Sequence, residues 1–270
     1  MNQNTSRGVA VVTGASSGIG AVYADRLARR GYDLLLVARD GQRLEQLAAR
    51  LRQQTGRKAE ILVADLGNRA DTRKVAARIA GDSGISLLVN NAGVGAAAPM
   101  VDSDPDRLEA MIELNVTALT RLSHAAAVRF AGEGRGAIIN IASIVALAPT
   151  VLNGTYSGTK AFVVNLTQSL HAELGPKGVQ LQAVLPGATR TNFWGHTGVP
   201  VEQLPQHWVM TAEDLVDAAL VGFDRGELIT IPALPDVQEW EALDAARVKL
   251  GPNLSHAQPA ARYATPAQAA

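Results

Sequence analysis

Thr13-Gly14-Ala15-Ser16-Ser17-Gly18-Ile19-Gly20 is the stretch whose reading decides the fold. Before it stands Val9–Thr13, a short β-rich run. After it, Gly18–Gly31 places Val22, Leu27 and Ala28 amid Asp25, Arg26, Arg29 and Arg30, a helix-like pattern closed by Gly31. Each glycine has its own physical task in such a strand–turn–helix unit. Gly14 can take a positive φ without a Cβ clash. Gly18 lets the backbone approach a pyrophosphate, and Gly20 lets the helix pack close to the sheet. The free N–H groups of the helix start then face the phosphate charge. A glycine trio alone is also what a plain tight turn carries; between a strand and a helix it predicts dinucleotide binding.

The rhythm continues outward from this unit. Asp33–Ala38 is nearly all apolar, as a strand covered on both faces should be. Gly41–Gln54 has Leu44, Leu47, Ala48 and Leu51 at helix spacing, Ala59–Ala64 reads as strand and Arg69–Ala80 as helix. Leu87–Asn90 is a fourth strand. Pro105–Ala131 reads as one long helix with Leu108, Ile112 and Val116 on one face. Ala137–Ala142, Tyr156–Glu173 and Val179–Val184 continue as strand, helix, strand, and Leu228–Ile231 supplies a seventh strand. This alternation implies parallel strands joined by right-handed crossovers. The expected fold is α/β: a single-domain, Rossmann-like, doubly wound and mostly parallel seven-stranded sheet with helices on both faces. It spans residues 1–250, with a substrate-loop insert near 192–210 and a tail over 251–270. Ligands bind such sheets at the carboxyl ends of the strands. The irregular Gly195–Gln206 reads as a loop or short-helix insert over that edge.

Composition removes several function classes. The 270 residues carry 25 Lys plus Arg and 25 Asp plus Glu, so no broad basic field for nucleic acid is present. There is no Cys, which excludes disulfides, thiolate zinc sites and a cysteine nucleophile. The five His stand far apart, so no metal site is expected. The start, Met1–Gly8, lacks the basic-then-apolar order of a signal peptide. The longest weakly polar stretch, Ala137–Leu152, is broken by Asn140, Ser143, Pro149 and Thr150 and falls short of a membrane span. A soluble cytoplasmic protein is the expectation.

The spacing Gly-x-x-x-Gly-x-Gly, rather than Gly-x-Gly-x-x-Gly, resembles the short-chain dehydrogenase/reductase family, whose members bind NAD or NADP in this way. The resemblance implies that Gly14, Ser16, Ser17, Gly18, Ile19 and Gly20 form the cofactor loop. The second strand ends Val37-Ala38-Arg39-Asp40. An acid at the tip would bind the ribose 2′-hydroxyl of NAD and repel a 2′-phosphate. The tip holds Ala38 instead, and Arg39 can pair with a phosphate through its planar fork, with Ser16 as a further donor. NADP(H) is therefore expected over NAD(H). NAD would need Asp40 at the ribose, whereas Asp40 also suits the opening of the next helix. By resemblance, Asp65 contacts the adenine and Leu66 flanks it, while Asn91, Ala92 and Gly93 line the cofactor ribose.

Tyr156 and Lys160 form Tyr-x-x-x-Lys, four apart on one helix face. A phenol is a ready acid but a poor base at neutral pH, and a nearby ammonium should lower its pKa. The pair can then protonate a carbonyl oxygen or accept a proton from an alcohol. Lys160 can also hold the nicotinamide ribose. Alone this spacing usually means an amphipathic surface helix. Ser143, just past the fifth strand, changes that weighing, because its hydroxyl can polarise the same carbonyl. Asn115 interrupts the long helix with a poor helix-interior residue and marks a local kink with a water near Lys160. Asn115, Ser143, Tyr156 and Lys160 match the family's catalytic tetrad in order and spacing. The segment Pro186-Gly187-Ala188-Thr189-Arg190-Thr191 follows the sixth strand. By resemblance it flanks the nicotinamide, with Thr on the carboxamide; Pro186, Gly187, Thr189 and Thr191 are its cofactor residues. Gly158 departs modestly, weakening its helix turn by up to about 1 kcal/mol relative to Ala.

Aromatics are only 4% of the chain, yet Phe193, Trp194 and Trp208 fall together, followed by Met210. They either wall an apolar pocket or anchor the insert. Val145, Pro149, Leu152 and Asn153 are placed on the opposite wall. Ser143, Val145, Asn153, Tyr156, Phe193 and Trp194 are the candidate substrate residues, and an apolar lining favours a small-molecule ketone or secondary alcohol. The leading expectation is an NADP-dependent carbonyl reductase. A 3-ketoacyl thioester reductase, an NAD-dependent alcohol dehydrogenase and a non-catalytic dinucleotide sensor remain open. The resemblance further implies a homodimer or homotetramer.

Overall fold

Short runs of Val, Ile, Leu and Ala cannot bury both faces alone, and here they pair into one sheet. The computed structural model describes residues 6–196 and 200–263. The longer strands are β1 (Val9–Thr13), β2 (Asp33–Ala38), β3 (Ala59–Val63), β4 (Ile85–Asn90), β5 (Gly136–Ile141) and β6 (Val179–Val184). Three two-residue strands follow: β7 (Thr189–Arg190), β8 (Met210–Thr211) and β9 (Ile229–Thr230). The seven-stranded sheet has the order β3-β2-β1-β4-β5-β6-β9, and every pairing in it is parallel. A separate small ladder joins β7 to β8. The seventh strand is shorter than the Leu228–Ile231 expected, and the sheet is wholly parallel.

The helices are α1 (Gly18–Arg29), α2 (Gly41–Thr55), α3 (Arg69–Gly81), α4 (Pro105–Ile112), α5 (Leu119–Glu133), α6 (Gly154–Leu174) and α7 (Ala212–Asp224). Strand residues alternate between two cores. Ala10, Val12, Leu34, Leu36, Leu87 and Val89 pack against Leu27, Leu44, Leu51 and Val216 of α1, α2 and α7. Val11, Leu35, Val37, Leu88, Ile138 and Leu181 pack against Val75, Ile79, Leu122 and Phe130 of α3 and α5. The order reverses between β1 and β4, so a crevice opens at their carboxyl ends.

The single helix expected over Pro105–Ala131 is three pieces. Between α4 and α5 lies a π-helical segment, Glu113–Ala118, centred on Asn115. An inserted wide turn of this kind frees a side chain to bond elsewhere, and Asn115 does so. The insert after β7 consists of 3-10 turns at Asn192–His196, Val201–Gln203 and Gln206–Trp208; residues 197–199 of the expected loop, and 264–270 of the expected tail, lie outside the described residues.

The chain divides into two compact units, one to Pro232 and one from Ala233. The second contains α8 (Val237–Leu250), which buries none of its residues, and short turns at Gly251–Asn253 and Ala261–Tyr263. The sequence reading begins its tail later, at Gly251.

Phe130 is fully buried, and its ring lies against Gly136, where a Cβ would collide with it. Phe130→Ala is expected to destabilise the first unit by about 3–5 kcal/mol, measured by urea unfolding. A loss below about 1 kcal/mol would show that this core collapses onto the vacancy.

Candidate active site

The crevice is held by one polar clasp. Thr13, the last residue of β1, accepts at Oγ1 from the backbone N–H of Asn91 (2.9 Å) and of Ala92 (3.0 Å). Its hydroxyl donates to Val89 O at 3.2 Å. Asn91 Nδ2 donates back to Thr13 O at 2.9 Å and to Gly14 O at 3.3 Å. Gly14 and Gly18 adopt positive φ, 64° and 53°. Any side chain on Gly20 would collide with Gly14 O and Asn91 Nδ2, which is the close helix–sheet contact its position predicts. Ser17 is the N-cap of α1 but its side chain makes no capping bond. The first amides of α1 therefore face outward uncapped, with the helix dipole behind them, as a pyrophosphate requires.

At the tip of β2, Asp40 is committed to α2. Its carboxylate caps the helix by accepting from Arg43 N at 3.0 Å and pairs with the Arg43 guanidinium at 3.2 Å. Arg39 is exposed and makes no ion pair or hydrogen bond among the described residues. At the end of β3, Asp65 accepts from Gly67 N at 3.0 Å and Leu66 is buried.

The four expected catalytic residues converge. Lys160 is buried, and its ammonium donates to Ile141 O at 2.9 Å. Its Nζ stands 5.9 Å from the Tyr156 ring centroid. Ser143 begins the 3-10 turn Ile144–Ala146, accepting from Val145 N at 3.3 Å and donating to Pro186 O at 3.4 Å. Asn115 donates to Val94 O (2.9 Å) and Thr159 Oγ1 (3.1 Å) and accepts from Val94 N (3.0 Å). Its side-chain amide is thus a bridge to the loop after Gly93. A Cβ on Gly93 would stand 3.1 Å from Asn115 Oδ1 and 3.5 Å from Lys160 Nζ.

The electrostatics correct one expectation. Lys160 does not lower the Tyr156 pKa in this state. Burial pushes the phenol up to about 12, against a weaker lowering by its hydrogen bond with Ser143. Burial also brings Lys160 down to about 8. Removing both groups from water disfavours the charged form of each.

Of the proposed substrate residues, Val145 and Phe193 do meet Tyr156, in an apolar cluster with Leu108 and Met111. The Phe193 and Tyr156 centroids are 5.9 Å apart, and Trp194 meets Phe193 edge-on at 5.6 Å. Trp194 anchors the turn, its Nε1 donating to Thr189 O at 2.8 Å. Asn153 makes structural bonds around the site. Its Oδ1 caps α6 at Thr155 N, and its Nδ2 donates to Ala98 O and Ser103 Oγ, so its polar atoms are spent on the backbone around the site. Trp208 is exposed and Met210 packs on the α1–α2–α7 core, so neither walls Tyr156. Thr189 is buried and donates to Gly187 O, while the Thr191 methyl lies against Gly18 at the glycine loop.

A protein-family model described as short chain dehydrogenase matches residues 8–198. The chain belongs to the short-chain dehydrogenase family. It is thereby an oxidoreductase. A short-chain dehydrogenase from Sphingobium yanoikuyae, solved in complex with NADPH, is 51% identical over 95% of this chain and 100% of its own, with a TM-score of 0.93. The bulky-bulky ketone specific alcohol dehydrogenase from Comamonas testosteroni is 46% identical over 97% of this chain and 100% of its own, with a TM-score of 0.89. A very-long-chain 3-oxoacyl-CoA reductase from Anas platyrhynchos is 36% identical over 66% of this chain, a stretch covering 58% of that relative.

In this short-chain dehydrogenase Asn140, to which sequence reading gives no role, joins Asn90, which opens the Asn90-Asn91-Ala92-Gly93 segment that by resemblance supports the central sheet. Asn90 and Asn140 are register partners on β4 and β5. Asn90 Nδ2 donates to Asn140 Oδ1 (2.9 Å) and Ser123 Oγ (3.0 Å), and Asn140 Nδ2 to Thr167 Oγ1 (2.9 Å). This buried chain ties the sheet to α5 and α6. Its signal was available: a polar residue inside an apolar strand must find partners.

Burial of Lys160 makes stability depend on pH. The unfolded lysine, near 10.5, holds its proton where the folded one, near 8, has lost it. Stability from this group therefore rises as pH climbs from about 8 to about 10.5. Lys160→Met is expected to remove that rise, so the variant's stability advantage at pH 7 shrinks across the window in urea unfolding. A pH-independent difference would show that Lys160 is not desolvated.

Proposed function

We propose that this short-chain dehydrogenase is an NADP(H)-dependent carbonyl reductase acting on ketones with apolar substituents. The observation that carries the reading is a neutral Tyr156 phenol beside Ser143 and set in an apolar cluster. The cofactor preference is supported by the unpartnered Arg39 and the diversion of Asp40 to a helix cap, and by the NADPH held by the Sphingobium relative. The substrate class is supported by the bulky ketones named for the Comamonas relative.

The residues fit a nicotinamide dinucleotide. The positive-φ glycines and uncapped start of α1 would hold its pyrophosphate, Arg39 and Ser16 its 2′-phosphate, and Asp65 with Leu66 its adenine. Asn91, Ala92, Gly93 and Lys160 would hold its riboses, with Pro186, Gly187, Thr189 and Thr191 along the nicotinamide side. When bound, NADPH supplies the hydride for the carbonyl carbon. Ser143 Oγ hydrogen-bonds the carbonyl oxygen and orients it toward Tyr156. Tyr156 then gives its proton to that oxygen as negative charge develops there. Lys160 bears positive charge below about pH 8 and would hold the nicotinamide ribose beside Tyr156. In alcohol oxidation the same groups work in reverse, and Tyr156 must first lose its proton.

Relatedness to a 3-oxoacyl-CoA reductase supports a second reading, reduction of a 3-ketoacyl thioester, which shares this chemistry and differs only in what flanks the carbonyl.

Tyr156→Phe keeps the ring and removes the acid. It is expected to lower kcat for ketone reduction by roughly a hundred- to ten-thousand-fold with NADPH binding retained, followed by nicotinamide absorbance and by cofactor fluorescence titration. Near-normal turnover in this variant would end the mechanism. Running a ketone panel beside acyl-thioesters with the wild-type enzyme separates the two substrate readings.

Arg39→Ala is expected to raise the Kd for NADPH by roughly ten- to a hundredfold, the value of a hydrogen bond to a charged group, and to leave NADH nearly unchanged. Equal losses for both cofactors would show that Arg39 does not read the 2′-phosphate.

A further inference from the structure

We propose that Gly95 is a specificity-determining position: its missing side chain seats the Phe193 ring against Tyr156, and that ring fills the apolar space beside the phenol until a bulky ketone substituent displaces it. The inference rests on the carbonyl-reductase reading and extends it to a residue outside the tetrad.

The argument begins with why position 95 is glycine. Gly14 and Gly18 need positive φ; Gly95 does not, and its backbone is open to any residue. What excludes a side chain is the Phe193 ring. A Cβ on Gly95 would overlap Phe193 Cζ and stand 2.8 Å from Cε2 and 3.2 Å from Cε1. The same ring lies 5.9 Å from the Tyr156 ring and belongs to the cluster of Leu108, Met111, Val145 and Tyr156. Its place beside the proton donor is where one substituent of a ketone held by Ser143 and Tyr156 has to lie.

Phe193 can leave this place without taking its turn along. Its backbone N–H donates to Thr191 Oγ1 at 3.3 Å, and the neighbouring Trp194 Nε1 donates to Thr189 O at 2.8 Å. The turn is fixed while the ring rotates about its own side-chain bonds, a small rearrangement among staggered rotamers. A methyl group at position 95 therefore has as its nearest neighbours the far end of a movable ring, and displaces it.

The test uses Gly95→Ala, Phe193→Ala and the double variant, with Phe193→Leu as a variant that leaves position 95 untouched. In a Trp208→Phe, Trp240→Phe background Trp194 is the remaining indole, since the chain has three Trp. Its edge contact with Phe193 then reports ring position in the free protein. Gly95→Ala is expected to change Trp194 emission in the direction that Phe193→Ala does, and to add nothing in the double variant. With NADPH, the ratio of kcat/KM for a diaryl ketone over a short methyl ketone is expected to rise roughly tenfold in Gly95→Ala, mainly through KM, the scale of a small volume change in an apolar pocket. Phe193→Leu should move the ratio the same way. This Gly95→Ala effect should vanish when Phe193 is already Ala. The proposal is overturned if Gly95→Ala leaves Trp194 emission and the ketone ratio unchanged, or if its effect is the same size with and without Phe193. If the wild-type chain reduces no ketone, the activity reading falls, and Trp194 emission still decides whether Gly95 seats the ring.

Discussion

The geometry of the site depends on the clasp between Thr13 and Asn91. Where the strand order reverses, the crossovers leave in opposite directions and no helix covers the carboxyl ends of β1 and β4. The gap must be held by side chains. Thr13 Oγ1 accepts two backbone amides of the next segment, and Asn91 returns two bonds to the glycine loop. That fixes the loop at one end and Gly93 at the other. Gly93 in turn stands against Asn115 and Lys160, and Asn115 holds Val94 on both of its backbone groups. A single run of contacts therefore leads from the glycine loop to Lys160.

Burial does two things at once in this arrangement. It holds the tetrad in place, because Lys160 and Asn115 have their polar atoms matched to backbone groups on β5 and after β4. It also sets the charge states. A phenol kept neutral to high pH is a competent acid, and an ammonium that is marginally stable in its site responds to small changes in surroundings. Negative charge developing on a substrate oxygen or on the phenol would favour the protonated lysine.

Much of this was legible before the structure. The glycine spacing, the strand–helix rhythm and Tyr-x-x-x-Lys are local patterns, carried by neighbouring residues and by backbone preferences. Asn115 announced itself as a poor helix residue, and the π segment around it is the form its kink takes. The contacts that could not be read join positions far apart in sequence. Asn90 pairs with Asn140 across 50 positions, and Gly95 meets Phe193 only because β4 and β6 release their loops at the same edge. The Tyr156 pKa was misjudged for a related reason: a sequence shows that an ammonium is near but not how much water both groups lose. Nor could the sequence show that the Asn153 amide bonds to the start of α6 and to the loop at Ala98.

The two ends of the crevice obey different physics, and this separates what each can vary. At the β2 tip, the proposed selection between cofactors would rest on a charge at the surface, where Arg39 is exposed and Asp40 caps α2. At the Tyr156 end, the proposed selection between substrates would rest on volume, among the apolar Leu108, Met111, Val145 and Phe193. A charge acts over distance and is screened by salt; a ring acts only on what it touches. On the proposed function, changes at the apolar end would therefore alter the accepted ketone while the hydrogen bonds of Thr13, Asn91 and Asn115 keep Tyr156 and the glycine loop in register.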